Sequence, residues 1–160
     1  MKQMSPVVRT ITKIAFGPMF IFGAYVILHG HITPGGGFQG GAMIASLFAL
    51  YFIAFGVTKW KKQLLSLVEN FGLLMFISAG FLGLTAGYFF FNFLAGSKIP
   101  FFNETIPPME GWLHPNSAPL FSAGTVSVMN LSVGIEVVAG LTLVIVTMGL
   151  FAFKGEEEED

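Results

Sequence analysis

Glu136 is the residue whose type and position point most directly to chemistry. It lies inside a long apolar stretch, roughly eight residues or about 12 Å from the start of that stretch. An ionisable side chain at this depth in an apolar helix is costly and is by default a candidate functional site. We expect Glu136 to face a cation, a water-filled cavity or an ion path. The alternative is a neutral carboxylic acid that is hydrogen-bonded between helices.

A second set of candidate residues forms a glycine-dense segment. Irregular backbone survives at membrane depth only where it is buried in protein or lines a wet cavity, and glycine permits the positive φ and close approach that this requires. The exposed amides and carbonyls of such a segment could bind a cation or water. A tight turn between two antiparallel helices is the alternative. The segment comprises His29, His31, Pro34, Gly35, Gly36, Gly37, Phe38, Gln39, Gly40 and Gly41.

Within this set, the ion-path hypothesis uses His29, His31, Gln39 and the backbone of Gly35–Gly37, while Pro34, Phe38, Gly40 and Gly41 complete a structural motif. The two histidines are two residues apart, so they would point in different directions on a helix and make a poor shared metal site. A structural role near the membrane interface and a proton-relay role both remain open for them. The chain has no cysteine, which removes thiolate metal ligands and a cysteine nucleophile.

Other polar residues have simpler interpretations. Glu69 lies near Lys61 and Lys62, and local charge pairing at a helix start explains it adequately. Several small polar residues are expected to make hydrogen bonds between helices. They are Asn92, Ser127, Asn130 and Ser132. We find no catalytic constellation, no cofactor-binding motif and no metal cluster in the sequence.

The composition indicates which elements must position these residues. Of 160 residues, 54% are hydrophobic and only 11% are charged, with a mean hydropathy of +0.75. Soluble domains carry about 25% charged residues, so this chain cannot cover a water-facing surface. A net charge of -1 argues against nucleic-acid binding, and the hydrophobicity argues against disorder. The chain is therefore predicted to be an integral membrane protein in contact with the lipid bilayer.

Four continuously apolar stretches predict an all-α membrane domain that covers residues 1–160. The predicted spans are about 14–28, 42–57, 64–93 and 128–153, because about 20 apolar residues cross a bilayer. A glycine-rich connection joins the first two helices, and a proline-rich loop that contains Trp112 joins the last two. Ser5 and Pro6 are typical of a helix start, and Pro18 predicts a kink. Residues 154–160 form an acidic tail.

The basic residues predict the orientation. Seven of the eight lie before the first span, between the second and third, or after the fourth, and only Lys98 lies in the opposite connections. Because basic residues are enriched in cytoplasmic loops, both termini are expected in the cytoplasm of a cell-membrane protein.

The segments Ser5–Thr10, Leu28–His31 and Thr33–Gly41 resemble the MnhB family of small subunits in the Mrp (Mnh) multisubunit Na⁺/H⁺ antiporters. The resemblance extends to Phe121–Thr125 and Gly134, and covers roughly residues 5–150. It implies a small, non-redox membrane subunit, without a cofactor of its own, in an assembly that exchanges Na⁺ for H⁺. The partners it implies are other membrane subunits.

The family also occurs in archaeal respiratory complexes related to complex I, in which a hydrogenase or sulfane-reductase arm drives an antiporter module. The bacterial pattern has an Asp before the glycine of the last helix, where this chain has Asn130 and carries its acid at Glu136. This departure favours the archaeal respiratory branch of the membrane-bound hydrogenase type. A freestanding antiporter, a purely structural assembly subunit and a redox subunit are the alternatives.

Overall fold

The computed structural model describes residues 4–56, 61–94 and 124–158, with side chains as far as 151. Within these ranges the chain is helical and contains no strand, which confirms the predicted all-α fold. Four α-helices are each long and apolar enough to cross a membrane. They are α1 (Pro6–Leu28), α2 (Gly36–Phe55), α3 (Lys62–Leu82), which a short 3-10 turn (Gly83–Ala86) continues, and α4 (Thr125–Glu158).

The start of α1 follows the sequence prediction. The Ser5 hydroxyl accepts a hydrogen bond from the Val8 amide at 3.5 Å, and Pro6 occupies the first helical position, where its missing N–H costs nothing. The helix then continues through Pro18 to Leu28. Arg9 and Lys13 therefore lie within α1 rather than before the first span.

Two helix boundaries differ from the sequence prediction. α2 begins at Gly36 rather than near Ala42, because the glycines of the connection form its first turns against neighbouring helices. α3 ends at Leu82 rather than near Phe93. After Gly87, which has a φ of 119°, the chain folds back and the Phe90 amide donates to the Gly80 carbonyl at 3.1 Å. The hydropathy of the sequence does not reveal this reversal, since the residues after Gly87 are as apolar as those before it.

α4 is the central helix of the described structure. It packs against α2 on one side and α3 on the other, while α1 packs against α2 and contacts α4 less extensively. α2 and α4 run parallel, because Gly37 lies beside Asn130 at one end and Phe52 lies beside Gly149 at the other. Small and branched side chains fill the interior. The most deeply buried apolar ones are Ala45, Leu47, Ala54, Ala139 and Val146.

One end of the helix assembly carries the described basic side chains. Arg9 and Lys13 both lie over the ring of Phe55 at the end of α2, and Lys62 lies over Phe151 near the end of α4. We call this the basic end. The start of α1 and the last turns of α4 lie there together. Its assignment to the cytoplasm stays a prediction from the distribution of basic residues. The proline-rich loop, Trp112 and the side chains of the acidic tail lie outside the described residues.

Candidate functional site

The side chain of Asn130 joins three helices at the end of the molecule opposite the basic end. Its Oδ1 accepts a hydrogen bond from the Gly37 amide at 2.5 Å, and its Nδ2 donates to the Ile27 carbonyl. Ile27 lies in the last turn of α1 and Gly37 in the first turn of α2, where backbone groups lack partners within their own helix. One side chain of α4 therefore satisfies both helix ends. We call Asn130, Ile27 and Gly37 the Asn130 junction.

The connection that leads into this junction is a compact turn. The Ile32 and Thr33 amides both donate to the His29 carbonyl, at 2.9 and 3.0 Å. Gly35 then adopts a left-handed conformation, with φ 88°, as the cap of α2. The Gln39 amide donates to the Gly35 carbonyl at 3.2 Å, so that oxygen already belongs to the helix start.

The glycines of α2 allow close contact with two helices at once. A Cβ on Gly40 would lie 2.7 Å from the Gly23 carbonyl oxygen and 2.8 Å from the Ile27 nitrogen of α1. A Cβ on Gly41 would lie 2.9 Å from the Cβ of Val137 and 3.0 Å from the Gly134 carbonyl oxygen of α4. These distances are shorter than real Cβ contacts, so close helix packing alone accounts for both glycines.

Two further glycines leave room for the Asn130 side chain itself. A Cβ on Gly30 would lie 2.5 Å from Asn130 Oδ1, and one on Gly36 would lie 2.7 Å from the same atom. Gly36 also has a φ of 53°, in the left-handed region that other residues rarely adopt. Sequence reasoning did not single out Gly30, although it lies between the two histidines that drew attention.

The remaining motif residues lie at the surface of this junction. Phe38 is 62% exposed, and Pro34 and Gln39 are also exposed. These side chains are therefore open to lipid or to a neighbouring subunit. His29 is held by its own helix, because its Nδ1 lies 3.1 Å from the Tyr25 carbonyl oxygen and its ring stacks on Tyr25 with centroids 4.2 Å apart. His31 is half-buried.

Glu136 lies half-buried on α4, on the face that packs against α3. A Cβ on Gly72 of α3 would lie 2.8 Å from the Glu136 amide nitrogen and 3.0 Å from its Cβ. One turn further along, a Cβ on Gly140 of α4 would lie 3.1 Å from Glu69 Oε1. Each carboxylate residue thus lies opposite a glycine of the other helix. We call Glu69, Gly72, Glu136 and Gly140 the carboxylate seam.

Glu69 is the residue whose surroundings sequence reasoning missed. Local pairing with Lys61 and Lys62 was the expectation, but its carboxylate lies beside α4. The available signal was its spacing of three residues from Gly72, which places both on one face of α3. The partner Gly140 is too distant in sequence for that spacing to reveal.

The structure does not bring Glu136 and the glycine-dense segment into one site. Gly134, two residues before Glu136, faces the Ile27 side chain of α1, since a Cβ there would lie 2.6 Å from Ile27 Cγ2. Two residues on an α-helix are about 200° apart. The Asn130 junction and the carboxylate seam therefore occupy different faces of α4.

The predicted interhelical hydrogen bonds are confirmed for Asn130, whereas Asn92 bonds to the start of α4 from the segment after Gly87, outside any helix. Asn130 makes the contacts above, and Asn92 Oδ1 accepts from the Thr125 amide at 2.8 Å and from its hydroxyl at 2.7 Å, which caps α4. The prediction is wrong for Ser132, whose hydroxyl donates to Val128 of its own helix. The buried Ser127 hydroxyl has no hydrogen-bond partner within the described part of the chain.

Among residues 4–56, 61–94 and 124–151, no three metal-ligating side chains lie close enough to share an ion. The described arrangement can hold helix ends together at the Asn130 junction. It can also present carboxylate oxygens at the carboxylate seam.

Comparisons with known proteins agree on one family. The family model of a domain related to the MnhB subunit of the Na⁺/H⁺ antiporter matches residues 7–143. A Staphylococcus aureus protein that is named as an antiporter subunit, mnhB2, is 37% identical over 127 residues, which cover 78% of this chain and 85% of that protein. An uncharacterised protein of Methanocaldococcus jannaschii is 34% identical over 144 residues, or 88% of this chain.

Among solved structures, a chain in the membrane-bound sulfane sulfur reductase, an archaeal respiratory membrane complex, is similar with a TM-score of 0.70 and 30% sequence identity. The match covers 92% of this chain and 59% of that chain. This chain likewise spans about half the length of the Methanocaldococcus jannaschii relative, 50%. On the family match and the four membrane-spanning helices, the chain is a multi-pass membrane protein that belongs to the MnhB family.

Proposed function

We propose that this chain is a non-redox membrane subunit of a multisubunit Na⁺/H⁺ antiporter module, without catalytic residues or a cofactor of its own. The observation that carries this proposal is the family match across residues 7–143, which includes the whole Asn130 junction and the carboxylate seam. The transported ions of the module would be Na⁺ and H⁺. The remaining chemistry of exchange would belong to larger subunits.

The contribution of this chain to the sodium path would centre on Glu136. Na⁺ is a hard cation and prefers oxygen ligands, by the reasoning that applies to other hard cations. Glu136 is half-buried within a membrane-spanning helix, and Glu69 lies on the same seam. A carboxylate in that setting is expensive unless a cation, water or a partner group faces it.

The glycine-dense segment would contribute in a second way. Its Gly37 amide and Gly35 carbonyl are already hydrogen-bonded, so the junction mainly fixes α1 and α2 against α4. The exposed Gln39, together with the turn that carries His29 and His31, would extend the ion path where a neighbouring subunit covers it. The partners would be other membrane subunits, and lipid would cover the rest.

The similarity to a chain of an archaeal respiratory membrane complex favours a place in such a complex over a freestanding antiporter. Mass spectrometry of the subunits that copurify with this chain separates the two. Iron–sulfur or nickel–iron subunits support the respiratory assembly, and antiporter subunits alone support the freestanding one.

Glu136→Gln in the intact complex tests the ion-path role. We expect Na⁺-dependent proton exchange in membrane vesicles to fall at least tenfold, with the amount of assembled complex unchanged, because the amide keeps the shape and loses the charge. Glu136→Asp is the matched control, since it retains the carboxylate and should restore part of the exchange.

Normal exchange in Glu136→Gln would overturn the ion-path role and favour a purely structural subunit. The tight packing at the Asn130 junction is the observation that supports this second candidate. A complex that assembles poorly in both Glu136 variants would also point to a structural role of the side chain.

A further inference from the structure

An open cavity of about 340 Å³ lies between α1 and α2, on the side of the molecule away from the carboxylate seam. Its lining consists of Lys13, Phe16, Phe48 and Tyr51. The volume falls within the range of small-molecule sites, roughly 300–1,000 Å³. Its position next to Phe55 places it at the basic end of the molecule.

The wall of the cavity is aromatic and held in place by ring contacts. Phe16 lies against Phe48 and Tyr51, with ring centroids 6.3 and 5.9 Å apart, and Tyr51 contacts Phe55 at 4.7 Å. All four rings are half-buried. Apart from the Tyr51 hydroxyl, this wall offers no side-chain hydrogen-bonding group, so it suits a hydrocarbon chain better than a polar solute.

One cation, Lys13, lines the cavity, and Arg9 lies nearby over the ring of Phe55. The Nζ of the exposed Lys13 lies 5.7 Å from the centroid of the Phe55 ring, and the guanidinium carbon of Arg9 lies 5.3 Å from the same centroid. Neither α1 nor α2 contains an acidic residue. The charge of Lys13 is therefore not balanced by any carboxylate of the two helices that form the cavity.

We propose that this groove binds one anionic phospholipid. The phosphate would lie at Lys13, and an acyl chain would lie along Phe16, Phe48 and Tyr51. Basic pockets between membrane helices at the cytoplasmic surface have the chemistry for anionic headgroups. The aromatic wall makes a lipid a better occupant than free phosphate, which would leave the apolar part of the cavity empty. The inference goes beyond the antiporter role and does not depend on it.

The test uses the purified intact complex in nanodiscs of phosphatidylcholine with a minor fraction of phosphatidylglycerol. Native mass spectrometry then counts the phosphatidylglycerol molecules retained after release from the disc. Lys13→Gln should weaken retention about fivefold, since one basic residue near the membrane surface contributes about 1 kcal/mol. Lys62→Gln is the matched control, because Lys62 lies over Phe151 at the other side of the basic end. It should leave retention unchanged.

A second variant addresses the apolar half of the site. Phe48→Trp enlarges a lining ring and should reduce retention while Lys13 stays in place. If this variant lowers the yield of the complex, the Lys13 and Lys62 pair decides the question, because both side chains are exposed.

Three results would overturn the proposal. The first is equal retention in Lys13→Gln, Lys62→Gln and the unmodified complex. The second is displacement of the lipid by millimolar inorganic phosphate, which would indicate a free-anion site at the mouth alone. The third is loss of a neighbouring subunit from Lys13→Gln without a change in phosphatidylglycerol, which would show that a protein segment fills the groove.

Discussion

Glycine allows close helix packing on two faces of α4, but the atoms that the glycines contact differ between the two faces. On the Asn130 junction side, the glycines of α2 lie against backbone atoms of α1 and α4, which have no freedom to move. On the carboxylate seam, Gly72 also lies against backbone atoms of α4, but Gly140 lies against the end of the Glu69 side chain, which has that freedom. The comparison shows that the junction side is packed on fixed backbone atoms, while the seam combines one close backbone contact at Gly72 with an adjustable side chain at Gly140.

Gly36→Val should produce the largest change. The residue has a φ of 53°, and a Cβ there would lie 2.7 Å from Asn130 Oδ1 and 3.2 Å from the Gly30 carbonyl oxygen. A β-branched residue in that conformation is strained by about 1–3 kcal/mol, before the displacement of Asn130 is counted. We expect strongly reduced assembly of the complex, or assembly with impaired Na⁺ efflux.

Gly17→Ala is the control for this substitution. No atom lies within 4 Å of the position of its Cβ, so assembly should be unchanged. Normal assembly and normal ion exchange in Gly36→Val would contradict the conclusion that the Asn130 junction is too tightly packed to accept a side chain.

Asn130→Ala should have the next largest effect. It leaves the Gly37 amide without its partner, and a buried unpaired polar group costs about 1–3 kcal/mol. The Ile27 carbonyl loses one donor but keeps the Gly30 amide at 3.3 Å. The thermal midpoint of the detergent-solubilised complex should fall. Asn130→Asp keeps an acceptor for Gly37 but sets a carboxylate oxygen against the Ile27 carbonyl oxygen, so its midpoint should also lie below that of the unmodified complex. Equal midpoints for all three proteins would show that the junction does not stabilise the fold.

A matched pair of alanine substitutions should give the smallest but sharpest difference. In Gly41→Ala the new methyl meets the Gly134 carbonyl oxygen at 3.0 Å, and overpacking against fixed atoms costs about 1–3 kcal/mol. In Gly140→Ala it meets Glu69 Oε1 at 3.1 Å, and that flexible side chain can move, so the cost should stay below about 1 kcal/mol. Melting curves measured in parallel compare them. A larger decrease in melting temperature for Gly140→Ala than for Gly41→Ala would contradict the conclusion that the junction side is the more rigid face.

Local signals in the sequence predicted much of this fold. Hydropathy predicted the four helices, and Ser5 with Pro6 predicted the start of α1. Asn130 was expected to bond between helices because a polar side chain in an apolar span needs a partner. Its two partners were not predictable, since Ile27 and Gly37 contribute backbone groups that no side-chain pattern marks.

The remaining differences have physical causes that lie outside local sequence. Glycine disfavours helices on its own, so the extension of α2 to Gly36 depends on close contact with helices formed elsewhere in the chain. The end of α3 depends on the reversal at Gly87, within a run that is apolar on both sides. Glu69 and Gly140 meet only when α3 and α4 are packed together.

The Asn130 junction also has a consequence for biogenesis. A ribosome completes the α1–α2 hairpin long before it reaches Asn130, which lies 93 residues after Gly37 and 103 after Ile27. Until α4 enters the membrane, the Gly37 amide must find water or the insertion machinery as a temporary partner, while the Ile27 carbonyl has the Gly30 amide of the hairpin. The hydrogen bonds from Asn130 to the α1–α2 hairpin form only after α4 has inserted. Insertion of the last helix therefore also completes the packing of the first two.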